Sequence, residues 1–206
     1  MPCSGVVAPQ HIGPFFGVNM SGFERTSQQH VIREAEGYLE LLMVFSEQYQ
    51  PAPEIRNRLA WRAQRALEKA EVPGHESAYI LYLQGQTLRC LEQYQDAART
   101  LRESANKDPA NIHVWLALGW CYKRIGRLDL AIESLEDALT VDAHDGLVHY
   151  NLACYWSLAN NSNHALHHLS MALDIDSNYR DFLSHESDFD SIRADPAFYM
   201  LTCAIV

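Results

Sequence analysis

The sequence lacks most of the signals that would make it an enzyme, a membrane protein or a disulfide-stapled domain. No G-x-x-x-x-G-K-[ST] phosphate loop, H-E-x-x-H or G-x-S-x-G occurs anywhere in its 206 residues. This removes the common routes to nucleotide, zinc-protease and serine-hydrolase chemistry. No apolar run reaches the ~18 residues of a membrane-spanning helix. No basic segment opens the chain: the first charged residue is Glu24, and the apolar residues before it are cut by Pro2, Gly5, Pro9, Gly13, Pro14 and Gly17. That is not the pattern of a secretory signal. Positive charge is in deficit, with 16 Lys and Arg against 26 Asp and Glu and a formal net charge of −10. Broad nucleic-acid binding, which rests on many phosphate contacts from Lys and Arg, is disfavoured. Cysteine is sparse and odd in number: Cys3, Cys90, Cys121, Cys154 and Cys203, with no C-x-x-C spacing. Unpaired thiols in a reducing, cytoplasmic setting are the expectation, with neither a metal nor a cofactor.

What is present is a period. Trp115-Leu116-Ala117-Leu118-Gly119-Trp120-Cys121-Tyr122 reads W-x2-L-G-x2-Y, and Ala131, Leu135 and Ala138 follow at helical steps. Gly119 has no side chain, so a second helix can approach it closely, with Ala131 opposite. Gly126 stands where the first helix must stop. The spacing then recurs every 34 residues: Gly85, Gly119 and Ala153; Ala97, Ala131 and Ala165; Leu101, Leu135 and Leu169; Asp108, Asp142 and Asp176. A sustained period of this length is the signature of stacked helical hairpins.

On these residues the chain resembles the tetratricopeptide-repeat family. Pro109 follows Asp108 as in the family's Asp-Pro; Ala143 and Ser177 depart from it. The resemblance implies an all-α fold, a right-handed α-solenoid of helix-turn-helix repeats. Three repeats are expected at 78–111, 112–145 and 146–179. Residues 27–77 read as a divergent first repeat that caps the array. One helix from about Ser27 to Tyr49 has Thr26 and Gln29 as a capping box and Val31, Ala35, Tyr38, Leu42, Phe45 and Tyr49 as its stripe. Pro51 and Pro53 are expected to end it. A second helix, from about Glu54 to Glu71, turns Ile55, Leu59, Ala63, Ala66, Leu67 and Ala70 inward. Residues 1–26 have no periodic face and read as a disordered or extended segment, or as an extension upstream of a natural start at Met20. Residues 180–206 read as a C-terminal capping helix and tail. Their Asp188-Phe189-Asp190-Ser191-Ile192-Arg193 and Asp195-Pro196-Ala197-Phe198 resemble the cap of bacterial members, and Tyr179, Phe182, Phe189, Ile192, Phe198 and Leu201 are the residues to cover the last repeat.

The resemblance also implies a peptide-binding groove lined by the first helix of each repeat. Transferred position by position, it comprises Tyr79, Tyr82, Gln86 and Arg89; His113, Leu116, Trp120, Lys123 and Arg124; and Tyr150, Asn151 and Cys154. The set mixes aromatics with three cations and contains no acid. Aromatic and Arg side chains are frequent interface anchors; packing between neighbouring helices is the plainer role for Tyr82, Trp120 and Tyr150. The family's carboxylate clamp is absent, because its positions hold Tyr82, Gln86 and Ala117, with only Asn151 of matching type. His164 and His168 lie one turn apart and could chelate a metal, although no acid or Cys accompanies them, which favours a solvated polar face. The expected function is a non-catalytic adaptor that binds a protein or peptide with acidic and apolar residues through the groove, without nucleic acid or membrane. A chaperone-like holder of unassembled or secreted proteins and a self-assembling scaffold are the alternatives.

Overall fold

The structure, a computed structural model, describes residues 22–48, 52–70 and 76–203. The expectations for residues 1–21 and for Pro51 lie outside these. Among the described residues the secondary structure is helical throughout, with no strand. The helices are α1 (Gly22–Gln48), α2 (Pro53–Leu67), α3 (Glu76–Cys90), α4 (Tyr94–Lys107), α5 (Ile112–Arg124), α6 (Leu128–Val141), α7 (Gly146–Leu158), α8 (Ser162–Ile175), α9 (Arg180–Leu183) and α10 (Pro196–Cys203), with single 3-10 turns at Ser177–Tyr179 and Ser187–Phe189. The chain divides into two compact units, one spanning Val6–Pro109 and the other including Ala110–Val206.

In the first unit α1 packs on α2 and α3, and α3 pairs with α4. In the second α5 pairs with α6, α6 touches α7, α7 pairs with α8, and the C-terminal segment lies on α7 and α8. The pairing follows from the repeated small and large positions. Ala97, Ala131 and Ala165 are fully buried, as are Leu101, Leu135 and Leu169. Each Leu withdrawn from water in this way contributes about 2–3 kcal/mol. A Cβ added to Gly119 would lie 3.2 Å from the Ala131 carbonyl oxygen and from Leu135, and one on Gly85 would lie 2.5 Å from Leu101 Cγ. The missing side chains are therefore what lets the α3–α4 and α5–α6 hairpins close.

The helix stops repeat as well. Glu92, Gly126 and Asn160, 34 residues apart, all have positive φ, at 60°, 77° and 56°. Each is followed by an N–H that reaches back six residues in all: Gln93 to the Leu88 carbonyl, Arg127 to Tyr122 and Asn161 to Trp156, all at 2.9 Å. These are Schellman closures of α3, α5 and α7. Glycine occupies only the middle one, so the sequence marks a single member of the series.

Four expectations at the ends are corrected. Helix α1 begins at Gly22, so Thr26 lies inside it and cannot be its N-cap; a Thr-x-x-Gln pattern is tolerated within a helix as well as at its start. Pro53 opens α2 at its first helical position rather than ending α1, where a fixed φ and a missing N–H cost nothing. The buried face of α2 is Ala60, Ala63, Ala66 and Leu67, while Ile55 is 52% exposed. The helix turns its small residues inward, towards α1 and α3. Phe182 is 59% exposed, because α9 is a single turn and buries Leu183 in its place.

Candidate functional site

The sequence-derived groove residues fall on α3 in one unit and on α5 and α7 in the other. On α3, Tyr79 and Tyr82 stack with ring centroids 6.1 Å apart. The Tyr79 hydroxyl donates to Glu36 Oε1 of α1 at 2.5 Å. Burial, and then this carboxylate, push its ionisation well above the ordinary tyrosine value. Tyr82 is buried, and burial raises its hydroxyl too, although the hydrogen bond with Gln86 and the Arg89 charge work against that. Gln86 is 2% exposed, and its Oε1 accepts from the Arg89 guanidinium. Much of this row is thus bound within its own unit, with Arg89 half-buried at the helix end.

On α5, Asn111 caps the helix by accepting the His113 N–H at 3.2 Å. His113 is half-buried, and burial lowers its imidazole below the ordinary value while Asp145 acts in the opposite direction. Leu116 is buried; Trp120 is half-buried; Arg124 is exposed, with its guanidinium 5.6 Å from the centre of the Trp120 ring. This is a cation–π pair on one turn of helix. Lys123 faces another way. It forms an ion pair and hydrogen bond with Asp188 and lies 5.6 Å over the ring of the buried Tyr155.

On α7, Asn151 and Cys154 are buried, and Tyr150 is 6% exposed. The Tyr150 ring stacks on Tyr179 at 5.1 Å and meets Phe189 edge-on at 5.8 Å. The C-terminal segment therefore sits on first-helix positions of the last two hairpins, and does not merely close the end of the array. It is fixed there. Phe189 is fully buried and packs on Phe198. Ser191 Oγ donates to the Ser157 carbonyl at 2.8 Å. Arg193 donates to the carbonyls of Leu183 and Glu186, at 3.1 and 2.9 Å, which holds the loop closed. The transferred groove residues include no acid, and the structure adds one from outside them: Asp188, 65 residues from Lys123 in sequence, pairs with it.

His164 and His168, one turn apart on α8, turn to different partners. His164 turns to Trp156, with ring centroids 4.7 Å apart, and to Asn161. His168 meets the buried His149, Nδ1 to Nδ1 at 3.0 Å. His149 Nε2 lies 3.1 Å from the Ala143 carbonyl, so it donates there and its Nδ1 accepts from His168. Sequence reading missed this pair because His149 is on α7 and only the fold brings it to α8. Among the described residues no three His, Cys, Asp or Glu side chains converge to hold a metal ion. Cys90, Cys121 and Cys154 are in no disulfide, and the last two are buried. No described helix is long and apolar enough to cross a membrane.

Comparison with known proteins agrees with this architecture. Residues 75–144 match the tetratricopeptide-repeat family. No curated protein sequence matches the chain. Among solved structures, a MamA point mutant superposes with a TM-score of 0.52 at 23% identity, over 75% of this chain and 98% of its own. Another MamA structure gives 0.54 at 16% identity, over 81% and 99%. YrrB, described as a TPR protein with an unusual peptide-binding site, gives 0.54 at 20% identity, over 76% and 84%. At these identities the likeness is one of fold.

Proposed function

Because this chain is a tetratricopeptide-repeat protein, we propose that it is a non-catalytic adaptor that holds a partner protein or peptide on the first-helix surface of its repeats. The observation that supports this most is the seating of its own Asp188 and Phe189. On α5 and α7 an acid lies against Lys123 while the neighbouring aromatic lies against Tyr150. The surface thus already accommodates an acidic residue beside an apolar anchor. One turn from Lys123's neighbour, Trp120 and Arg124 present the same chemistry towards solvent: an aromatic face topped by a guanidinium. The α5 residues His113, Trp120 and Arg124 are the positions assigned to the partner. An acidic residue of the partner would meet a cation and an apolar residue would lie on Trp120, with charge setting orientation and speed of encounter.

A formal charge of −10 opposes polyanionic partners such as nucleic acids or anionic membranes. Cys121 and Cys154, buried and outside any disulfide, suit a reducing, cytoplasmic setting. The test is selection of random peptides displayed on phage against the immobilised protein. Enrichment of an Asp or Glu next to an aromatic, lost on a Trp120→Ala, Arg124→Glu surface that remains helical by circular dichroism, supports the reading. Enrichment indifferent to that double variant contradicts it.

A further inference from the structure

Helix α2 carries a face that the adaptor reading does not use. Arg58, Trp61, Arg62 and Arg65 line one shallow hollow on its outer side. The three arginines stand at steps of four and three, so they fall on one stripe about 10 Å long. All are exposed, and Trp61 between them is 54% exposed. Arg62 stacks over Tyr38 of α1, with its guanidinium 5.9 Å from the ring centre, which fixes its direction. Among the described residues none of the three joins an ion pair, whereas Arg56 on the same helix does, with Glu92. A large exposed aromatic set among guanidiniums is the composition of an interface centre rather than of an ordinary solvated face.

The complementary surface is in the same sequence. Helix α6 carries Asp129, Glu133 and Glu136 at the same steps of four and three, with Asp137 beside them and no Lys, Arg or His in the helix. Asp129, Glu133 and Glu136 are exposed. Asp129 is held by Arg127 at 2.7 Å, which leaves Glu133, Glu136 and Asp137 as the principal acids. The charge of the chain is divided in the same sense. Residues 110–206 hold five Lys and Arg against thirteen Asp and Glu, while residues 6–109 hold eleven against thirteen. Residues 110–206 are thus strongly acidic, and residues 6–109 are close to neutral and carry the basic stripe. Such an asymmetry favours contact between unlike units of two copies over contact between like ones.

We propose that α2 docks on the acidic stripe of α6 in a second copy of this chain. Arg58, Arg62 and Arg65 face the carboxylates, and Trp61 is covered at the centre. Each copy carries both surfaces, so the contact is made either reciprocally in a dimer or serially between successive copies. Exposed ion pairs are individually weak, so association should be reversible and salt-sensitive.

Sedimentation velocity over a wide range of concentrations tests this. At low salt the weight-average mass of the wild type should climb above that of the 23.4 kDa monomer as concentration rises, and should fall back on adding salt. Arg58→Glu, Arg62→Glu, Arg65→Glu should remain monomeric over a concentration range at least tenfold higher, with an unchanged helical spectrum. Adding Glu133→Arg, Glu136→Arg and Asp137→Arg to that variant should restore the association, because the signs are then exchanged. A wild type monomeric at every concentration, or an association unaffected by the arginine reversal, overturns the proposal. A reversal variant that associates no better once the acids are exchanged also overturns it, and points to a different anionic partner for α2.

Discussion

Lys123 on α5 and Asp188 in the C-terminal segment form an ion pair whose side chains are only 17% and 9% exposed. With the Ser191–Ser157 hydrogen bond, it ties the last hairpins to the segment that covers them. Removing one member leaves the other charge buried beside Tyr155 and Phe189. Lys123→Met should therefore destabilise the protein by about 3 kcal/mol, while Lys123→Met with Asp188→Leu should recover most of the loss. Urea unfolding of the two single variants and the double variant checks this. Equal losses that simply add would mean that the pair contributes nothing as a pair.

The glycines that close the hairpins are not equivalent. An added methyl at Gly85 would overlap Leu101 at 2.5 Å, whereas one at Gly119 would meet its neighbours at 3.2 Å. In a helix interior Ala is otherwise favoured over Gly by about 1 kcal/mol. Gly85→Ala should thus be destabilising by about 1–3 kcal/mol, and Gly119→Ala considerably less so. Thermal midpoints measured side by side give the order.

The helix stops offer a second comparison. Gly126 has open space around its Cα, so Gly126→Ala acts only through its φ of 77° and should cost about 1 kcal/mol. Asn160→Gly, at the same place in the next hairpin, should be neutral or stabilising by a few tenths of a kcal/mol. If both changes are silent in urea unfolding, the Schellman closures do not limit stability.

The histidine pair makes stability depend on pH. Burial first, then the charges of His149, His167 and His164, lower His168 from 6.5 to about 4. A group with a depressed folded value binds its proton more readily when unfolded. Its contribution is therefore full above about pH 6.5 and is lost as the pH falls from there through 4. Allowing for the partial exposure of His168, the loss is about 1–2 kcal/mol. Urea midpoints at pH 7.5 and 5 should differ accordingly in the wild type, and the difference should shrink in His168→Gln. An unchanged difference would detach it from this pair.

How much of this was legible beforehand depended on distance along the chain. The 34-residue recurrence of Gly85, Ala97 and Leu101 encodes contacts within a hairpin, and those helices and their buried faces were readable from it. Outside the period the reading depended on local pattern alone. It misplaced the start of α1, turned Ile55 inward on an α2 face whose Ala63, Ala66 and Leu67 are indeed buried, and took Phe182 for a covering residue. Two contacts had no local signature at all. Lys123 with Asp188, and His149 with His168, are made by residues whose spacing carries no meaning until the helices are packed. The αL positions Glu92 and Asn160 lacked the glycine that flags Gly126, although the period alone would have located them.

The adaptor reading is tested most directly by the binding of a selected acidic–aromatic peptide, followed by fluorescence anisotropy against wild type, Trp120→Ala and Arg124→Glu. The account predicts that each substitution weakens binding at least tenfold while the helical spectrum is unchanged. It also predicts that wild-type binding declines as salt rises, because exposed charges are screened beyond about 8–10 Å. Binding of equal strength to all three proteins would contradict it and would move the recognition surface away from α5.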